Sequence, residues 1–291
     1  MRRILFSLAC LGSAVCAAGQ QAQLPSPPAS ASVLRINAKE YGAQCNGKTD
    51  DTAAIQAALN VQSAYNITVL RGTNAEVELP PGTCILTAPL HIGLYGSLVG
   101  QNDGSTLYAN YAAWHGKNYD AIDVSITGRV PSGESVAQRR IAHFRLFGGG
   151  NQGIPNSAGI HIHNTEATYD QQFQIPYLNI DDVSISGFDT GIEAEDWLSS
   201  SISNVNITAV RLGIWLNGHD VNIQIGHTNM AYSSFDTAHT SNHSATVALL
   251  LAPNEKFCTN CTNYPQGIDF HDSSVVAFDY DVWVSHAIAV D

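Results

Sequence analysis

The residues best suited to chemistry occupy two positions of a short motif, Gly-Ile-x-apolar-x, in the repeats that begin at Gly159, Gly191 and Gly213. Alternate side chains of a β-strand face opposite sides, so when the apolar residues face a core the two variable positions face outward. Strands stacked at about 4.8 Å would then align these positions in two columns. The first column holds His161, Glu193 and Trp215, and the second holds His163, Glu195 and Asn217.

A group of this composition suits a carbohydrate site. An indole offers an apolar face to a pyranose ring, Asn and His offer directed hydrogen bonds, and paired carboxylates offer an acid and a base. Glu193 and Glu195 have backbones roughly 6.5–7 Å apart along a strand. This is nearer the separation of about 6.5–9.5 Å in inverting glycosidases than the about 5–5.5 Å in retaining ones.

We therefore predict that Glu193 and Glu195 are catalytic, with the charge of one raising the proton affinity of the other. The predicted substrate-binding residues are His161, His163, Trp215 and Asn217. Such side chains can equally be solvated surface, and an outward Trp can cover a loop rather than a ligand.

Two charged residues at turns extend the predicted site. Asp189 precedes the Glu193 strand and is predicted to be a third catalytic acid. Arg211, one repeat later, is predicted to bind substrate, because it could receive a uronate carboxylate. Both residues also fit ordinary turn chemistry.

The columns depend on a repeat that is visible in the sequence. Ile180-x-x-Val183-x-Ile185 recurs 22 residues later as Ile202-x-x-Val205-x-Ile207, and Ile141-x-x-Phe144-x-Leu146 fits upstream. A period of about 20–25 with two short strands is typical of a solenoid with a continuous core. We predict an all-β fold, a parallel β-helix. The looser downstream matches are Val221-x-Ile223 with Val247-x-Leu249, and Phe270-x-x-Ser273-x-Val275 with Val282-x-Val284.

The first 33 residues differ from the repeats. Residues 1–19 carry Arg2, Arg3 and an apolar run too short to span a bilayer, and are predicted to be a signal peptide. Residues 20–33 are a predicted flexible linker, and residues 34–291 the β-helix domain. Without the signal, 11 Lys and Arg face 25 Asp and Glu, a net charge near −14. That charge argues against a nucleic-acid partner, and we expect a secreted or periplasmic protein.

Four of the six cysteines follow the predicted signal. Export to an oxidising compartment permits disulfides, and Cys45 could pair with Cys84. Cys258 and Cys261 fit a local disulfide better than zinc, because a structural zinc site needs four ligands and no second pair is placed to complete them. The sequence therefore predicts no metal site.

A short helix is predicted before the repeats. Thr49 is a suitable capping residue, and Asp50 and Asp51 suit the positive end of a helix. Ile55, Ala58 and Leu59 then share one face. This helix is expected to cover the open end of the first coil, which would otherwise expose an apolar strand edge.

The same segment resembles the pectate-lyase-like superfamily of right-handed β-helices, which includes polygalacturonase-type glycosidases, uronate epimerases and phage tailspikes. The resemblance implies a right-handed coil and an extracellular polysaccharide as ligand, but it does not choose the reaction. The matching stretches are Tyr41-Gly42-Ala43, residues 46–59, Val77-x-Leu79-Pro80-Pro81-Gly82-Thr83 and Leu98-Val99-Gly100.

The catalytic residues of the superfamily do not carry over. Polygalacturonase-type enzymes have an Asp-Asp pair after a glycine and a Gly-His-Gly segment, whereas here Asp181-Asp182 precedes Val183 and His219 is followed by Asp220. The Asp cluster of the calcium-dependent lyases cannot be assembled from this sequence either.

We expect a polysaccharide-acting glycoside hydrolase without a cofactor, acting on a uronic-acid-containing, plant or bacterial glycan. One alternative is a polysaccharide lyase or uronate epimerase, for which Ca²⁺ could be needed; another is a non-catalytic glycan-binding or adhesion β-helix. No membrane span is expected. The apolar segment 287–291 lacks a closing cap, so either further coils or another copy of the chain, as a homo-oligomer, should cover it.

Overall fold

A computed structural model describes residues 34–68, 75–110, 112–114, 119–130, 138–149, 154–166, 174–208, 210–232, 245–252, 265–285 and 288–290. The predicted signal peptide, the predicted linker and the Cys258–Cys261 pair lie outside these residues. The described part contains one α-helix, α1 (Thr52–Thr68), and two short 3₁₀ helices (Ala38–Tyr41 and Asn102–Gly104). No helix in it is both long and apolar enough to cross a membrane.

The remaining elements of the described residues are strands. In chain order they are β1 (Leu34–Asn37), β2 (Asn46–Asp50), β3 (Ala75–Glu78), β4 (Gly82–Leu86), β5 (Leu90–Ile92), β6 (Leu98–Val99), β7 (Ser105–Ala109), β8 (Ile122–Ile126), β9 (Arg139–Gly148), β10 (Ile154–Asn164), β11 (Ile175–Pro176), β12 (Leu178–Ser186), β13 (Phe188–Ala194), β14 (Trp197–Ser203), β15 (Asn206–Thr208), β16 (Leu212–Leu216), β17 (Val221–Gly226), β18 (Asn229–Ala231), β19 (Val247–Leu251), β20 (Gln266–His271), β21 (Ser274–Val276), β22 (Tyr280–Val284) and β23 (Ile288–Val290).

Successive coils place these strands in two parallel sheets. One sheet has the order β5-β8-β10-β13-β16-β19-β22 and is called the seven-stranded sheet below. The sixteen-stranded sheet contains two rows joined through the long strands β9 and β12. The chain is therefore a right-handed parallel β-helix, which confirms the predicted fold class.

Like side chains stack from coil to coil in the core. Ile160, Ile192 and Ile214 are aligned in the seven-stranded sheet and are fully buried. In the other sheet Ile180 is the partner of Ile202, which confirms the 22-residue repeat. Burial of each such side chain is worth about 1.5–3 kcal/mol, and β-branched residues suit the pleated surface.

The downstream match Val247-x-Leu249 has a different register from the one that the sequence pattern predicts. In β19, Leu249 rather than Val247 is the partner of Ile214, and Leu251 is the partner of Leu216. A longer connection, residues 233–246, precedes this strand and interrupts the period that the sequence pattern would extend. In the following coil Val282 pairs with Leu249, so the predicted stacking resumes.

The helix covers the first coil as predicted. Ile55, Ala58 and Leu59 are buried, and the Nε2 amide of Gln62 donates to the backbone carbonyls of Ala75 and Ser97. These carbonyls belong to β3 and to the residue that precedes β6, in the first coils of the solenoid. The helix therefore supplies both apolar cover and hydrogen bonds.

The predicted capping role of Thr49 is wrong. Thr49 lies in β2, and the carboxylate of Asp50 instead accepts the N–H and the hydroxyl of Thr52, at 3.0 and 2.6 Å. An aspartate one residue closer to the helix makes the bond because its carboxylate can reach both groups. Cys45 and Cys84 form a disulfide beside this cap, as the sequence allowed.

Candidate functional site

The predicted first column lies on the outer face of the seven-stranded sheet. His161 is the partner of Glu193, and Glu193 is the partner of Trp215. Ile192 and Ala194, which precede and follow Glu193 in β13, are fully buried. The alternation rule is therefore confirmed here. The same column continues in the neighbouring coils with His91, Asp123, Leu250 and Trp283.

His161 lies between carboxylates. Its Nδ1 is 2.7 Å from Oδ2 of Asp120, and its Nε2 is 3.6 Å from Oε1 of Glu195. Burial lowers the pKa of His161, but the carboxylates of Asp120, Glu195 and Glu193 outweigh it and raise the pKa to about 10. In this arrangement the ring balances part of the surrounding negative charge.

Glu193 is held by an amide from the next coil. The Nδ2 group of Asn217 donates to its Oε1 at 2.7 Å. Burial raises the pKa of Glu193 to about 7, with His161 opposing and Asp120 and Glu195 reinforcing this shift. The carboxyl can therefore carry a proton near neutral pH.

The side chains of the second column, His163, Glu195 and Asn217, do not all contact one another. His163 bonds through Nε2 to Oδ1 of Asp123 at 2.8 Å, and Asn217 turns towards Glu193 rather than Glu195. Asn217 is only 4% exposed. It thus serves as an orienting group for Glu193, and its predicted contact with substrate stays a prediction.

The two histidines on β10 lie against each other. Their ring centroids are 4.3 Å apart, with an angle of 16° between the planes. Asp123, which bonds His163, also accepts from Nδ1 of His91 at 2.7 Å. Burial raises the pKa of Asp123, but the hydrogen bond and the charge of His163 oppose burial. Together with weaker hydrogen bonds, they lower the pKa of Asp123 below its ordinary value.

Trp215 is half-buried beside Glu193. Its indole Nε1 donates to the backbone carbonyl of Ala252 at 2.9 Å. This bond fixes the orientation of the ring, since a buried indole N–H usually needs a partner. The aromatic face is thereby held next to the carboxyl groups.

Asp189 and Arg211 bond each other. The guanidinium donates from Nε and from a terminal nitrogen to the two carboxylate oxygens, at 2.9 and 2.8 Å. Asp189 is 7% exposed. Because the pair satisfies both charges in a bidentate arrangement, neither residue enters the mechanism proposed below. Their predicted catalytic and substrate-binding roles stay predictions.

The sequence analysis missed three residues of this cluster: His91, Asp120 and Asp123. His91 and Asp123 occupy outward positions in Leu90-His91-Ile92 and Ile122-Asp123-Val124, so applying the alternation rule to these strands would have found them. Asp120 precedes its strand. Its approach to His161 depends on the turn, which strand periodicity does not describe.

A second group of acids lies behind the site. Burial raises the pKa of Asp196 to about 7, and the charge of Glu195 adds to the effect. Asp220 is fully buried, and burial raises its pKa well above the ordinary value. Its oxygens accept the backbone N–H groups of Trp197 and Gly218, at 3.1 and 3.3 Å. These acids border the catalytic candidates, and the bonds of Asp220 to two backbone N–H groups indicate a structural role for it.

One set of side chains has the composition of a metal site. His161, His163 and Glu195 each offer one donor atom, and these three atoms lie within 4.8 Å of one another. A second set, Cys45, Asp51 and Cys84, is excluded because the two sulfurs are joined in the disulfide.

The fold and this cluster define a class of protein: a right-handed parallel β-helix with carboxyl and imidazole groups on the outer face of one sheet. A family model described as rhamnogalacturonase A/epimerase, pectate lyase-like, matches residues 35–268, and the chain belongs to this family. The match confirms the resemblance found in the sequence. The comparison with curated proteins found no match.

Solved structures of other β-helices share the fold. The N-terminal fragment of gene product 12 of bacteriophage Phi29 has a TM-score of 0.53 and 14% identity over 84% of this chain. An iota-carrageenase of family GH82 from A. fortis has a TM-score of 0.52 and 13% identity over 91%. The enzymatically active domain of tailspike protein 2 of bacteriophage CBA120 has a TM-score of 0.50 and 15% identity over 90%. The chain spans 42%, 56% and 38% of these three structures.

Proposed function

We propose that this protein hydrolyses glycosidic bonds in an extracellular polysaccharide, with Glu193 as the proton donor and Glu195 as the base. The observation that carries the proposal is a pair of carboxyl groups, one near the end of β13 and one directly after it, in different surroundings. Glu193 is bonded by Asn217 beside the fixed indole of Trp215, whereas Glu195 faces His161. Membership of a family described by a rhamnogalacturonase supports a glycan substrate.

In the proposed reaction Glu193 transfers its proton to the glycosidic oxygen as the bond between that oxygen and the anomeric carbon breaks. Glu195 takes a proton from a water molecule as the water oxygen bonds to the same carbon. Two residues apart along a strand, the backbones are roughly 6.5–7 Å apart. Carboxyl groups separated by about 6.5–9.5 Å leave room for that water, so we expect inversion at the anomeric carbon if the side chains keep this spacing. Trp215 supplies an apolar face for the sugar ring.

The pairing of His161 and Arg211 with carboxylates of the protein favours hydrolysis over β-elimination. Elimination or epimerisation next to a uronate needs a cation to stabilise the developing negative charge. In the described residues of the site, the His161 ring bonds Asp120 and the Arg211 guanidinium bonds Asp189. These two cations are therefore already neutralised by the protein's own carboxylates.

The test is a screen of the exported chain against plant, algal and bacterial polysaccharides, with product analysis. We expect new reducing ends without ultraviolet-absorbing unsaturated sugars. Glu193→Gln and Glu195→Gln should each lower the rate by about 10²–10⁴-fold, the usual contribution of general acid–base catalysis. Glu40→Gln, the same change at an exposed residue of the N-terminal cap, should have no effect.

Three outcomes would contradict the proposal. Full activity in both Gln variants would place the chemistry elsewhere. Unsaturated products would indicate a lyase. Glycan binding without turnover on every polymer would indicate an adhesion protein.

A further inference from the structure

Three donor side chains converge beside Glu193. His161 and His163 are two residues apart on β10, so both project from the same face of the strand. Glu195 follows β13, and its backbone N–H donates at 2.9 Å to the carbonyl of Ile162, the residue between the two histidines. The strand pairing thus fixes all three backbones around one point.

Each histidine has one nitrogen bonded to a carboxylate. Nδ1 of His161 lies 2.7 Å from Asp120, and Nε2 of His163 lies 2.8 Å from Asp123. Metal-binding histidines usually have such a carboxylate on the nitrogen away from the metal, because it sets the ring orientation and the tautomer. The nitrogens that would bond a metal are then Nε2 of His161 and Nδ1 of His163.

The contact between His161 and Glu195 also fits an ion. The Nε2 atom of His161 is buried and has no hydrogen-bond partner among the described residues. It lies 3.6 Å from Oε1 of Glu195, which is too long for a hydrogen bond. Two ligands on a tetrahedral ion, with bonds of about 2.0–2.1 Å, are about 3.4 Å apart.

We propose that His161, His163 and Glu195 bind a divalent transition metal of the zinc type. Two imidazoles and one carboxylate suit Zn²⁺, whereas Ca²⁺ and Mg²⁺ prefer sets of oxygen ligands. The donor atoms already lie within 4.8 Å of one another, so side-chain shifts on the order of 1 Å bring them to bonding geometry. Asp120 and Asp123 are then the outer carboxylates that orient the rings. The sequence alone predicted no metal site.

A metal bound at this site would inhibit the hydrolysis proposed above. This regulatory role rests on the proposed function, whereas metal binding itself does not. Glu195 cannot accept a proton from water while its carboxylate is a metal ligand. The metal-loaded protein should therefore be inactive, and a chelator should restore hydrolysis. The binding itself is measured without a glycan, so it can succeed or fail independently of the hydrolase proposal.

The experiment uses the chain without its predicted signal peptide and without an affinity tag. Bound metal is first removed with EDTA, and the EDTA is then removed. Cys258 and Cys261 are replaced by Ser so that thiolates cannot bind the ion. Titration with Zn²⁺ by calorimetry, and with Co²⁺ by visible absorption, should show one equivalent bound. His163→Ala and Glu195→Gln should weaken binding at least tenfold, and Asp120→Asn, which keeps all three ligands, about 10–100-fold.

Two control variants match these changes. His143→Gln alters a histidine that bonds Asp182 on the other sheet, and Glu40→Gln alters an exposed carboxyl group of the N-terminal cap. Neither should change the affinity. No binding of Zn²⁺ to the parent chain at micromolar concentrations would overturn the proposal, whatever the stability of the variants. Unchanged affinity in His163→Ala would also overturn it and leave the His161–Glu195 contact as an ion pair only.

Discussion

At the scale of single residues, Asn217 shows how one amide can distinguish two equivalent acids. Its backbone N–H donates to the carbonyl of Ala194 at 2.9 Å, and its side chain donates to Glu193. The amide therefore fixes the rotamer of Glu193. A catalytic acid needs this kind of support, because a displacement of about 1 Å can cost about 10²-fold in rate.

We expect Asn217→Ala to lower kcat by about 10–100-fold with little change in KM. A hydrogen bond to a charged group is worth about 1.5–3 kcal/mol, and each 1.36 kcal/mol corresponds to about tenfold in rate. Steady-state kinetics on the glycan found by the screen provide the measurement. Asn206→Ala is the control, since Asn206 accepts a similar bond from Asn229 on the exposed face of the other sheet. A lower melting temperature with unchanged kcat would show that Asn217 is only structural.

At the scale of elements, the turn between β16 and β17 supports the site from behind. A Cβ atom at Gly218 would collide with the backbone carbonyl of Glu195, so only glycine permits this close approach. Two residues later, the buried Asp220 accepts N–H groups from Trp197 and from Gly218 itself. The turn thus ties the coil of Glu195 to the next coil.

The buried carboxyl of Asp220 predicts a pH dependence of stability. Its folded pKa lies above the ordinary value of 3.8, so between these two values the folded protein binds a proton that the unfolded chain has lost. Stability therefore falls as pH rises through this window. Asp220→Asn should remove that loss, because the amide has no proton to release. Melting temperatures at pH 5 and pH 8 should fall less in the variant than in the parent protein, and parallel pH curves would contradict the assignment.

At the scale of the whole molecule, the two ends of the described solenoid differ. The first coil is covered by α1 and joined to it by Gln62. In the last coil every residue of β22 is exposed, including Tyr280 and Trp283, whose rings are 4.9 Å apart. Cover by another copy of the chain stays a prediction for this surface.

The Cys45–Cys84 disulfide should stabilise the whole β-helix through its first coil. The cysteines are 39 residues apart, and closing a loop of that length is worth about 4 kcal/mol in the chain-entropy account. Cys45→Ser with Cys84→Ser should lower the free energy of unfolding by several kcal/mol, about 2–5. Denaturant titration provides the measurement.

The matched control is Cys258→Ser with Cys261→Ser. A bond between these neighbouring residues would close a much shorter loop and should contribute less to stability. Equal stability of the parent chain and the Cys45/Cys84 variant would show that the first coil does not need the bridge.

The sequence by itself determined the fold, the coil register around residues 141–216 and the outward column of His161, Glu193 and Trp215. These follow from alternation and from a regular period, which are local properties of the chain. The period also placed Ile192 and Ala194 in the core. It failed at β19, where a longer connection separates Leu249 from the preceding coil.

Only the tertiary structure decided which side chains bond. Asn217 bonds Glu193 instead of Glu195, Asp189 bonds Arg211, and Asp120 reaches His161 from a turn. Each choice depends on rotamers and on the paths of turns between coils, which alternation and repeat length do not specify. The pKa of Glu193 has the same origin, because it depends on burial and on charges from three different coils.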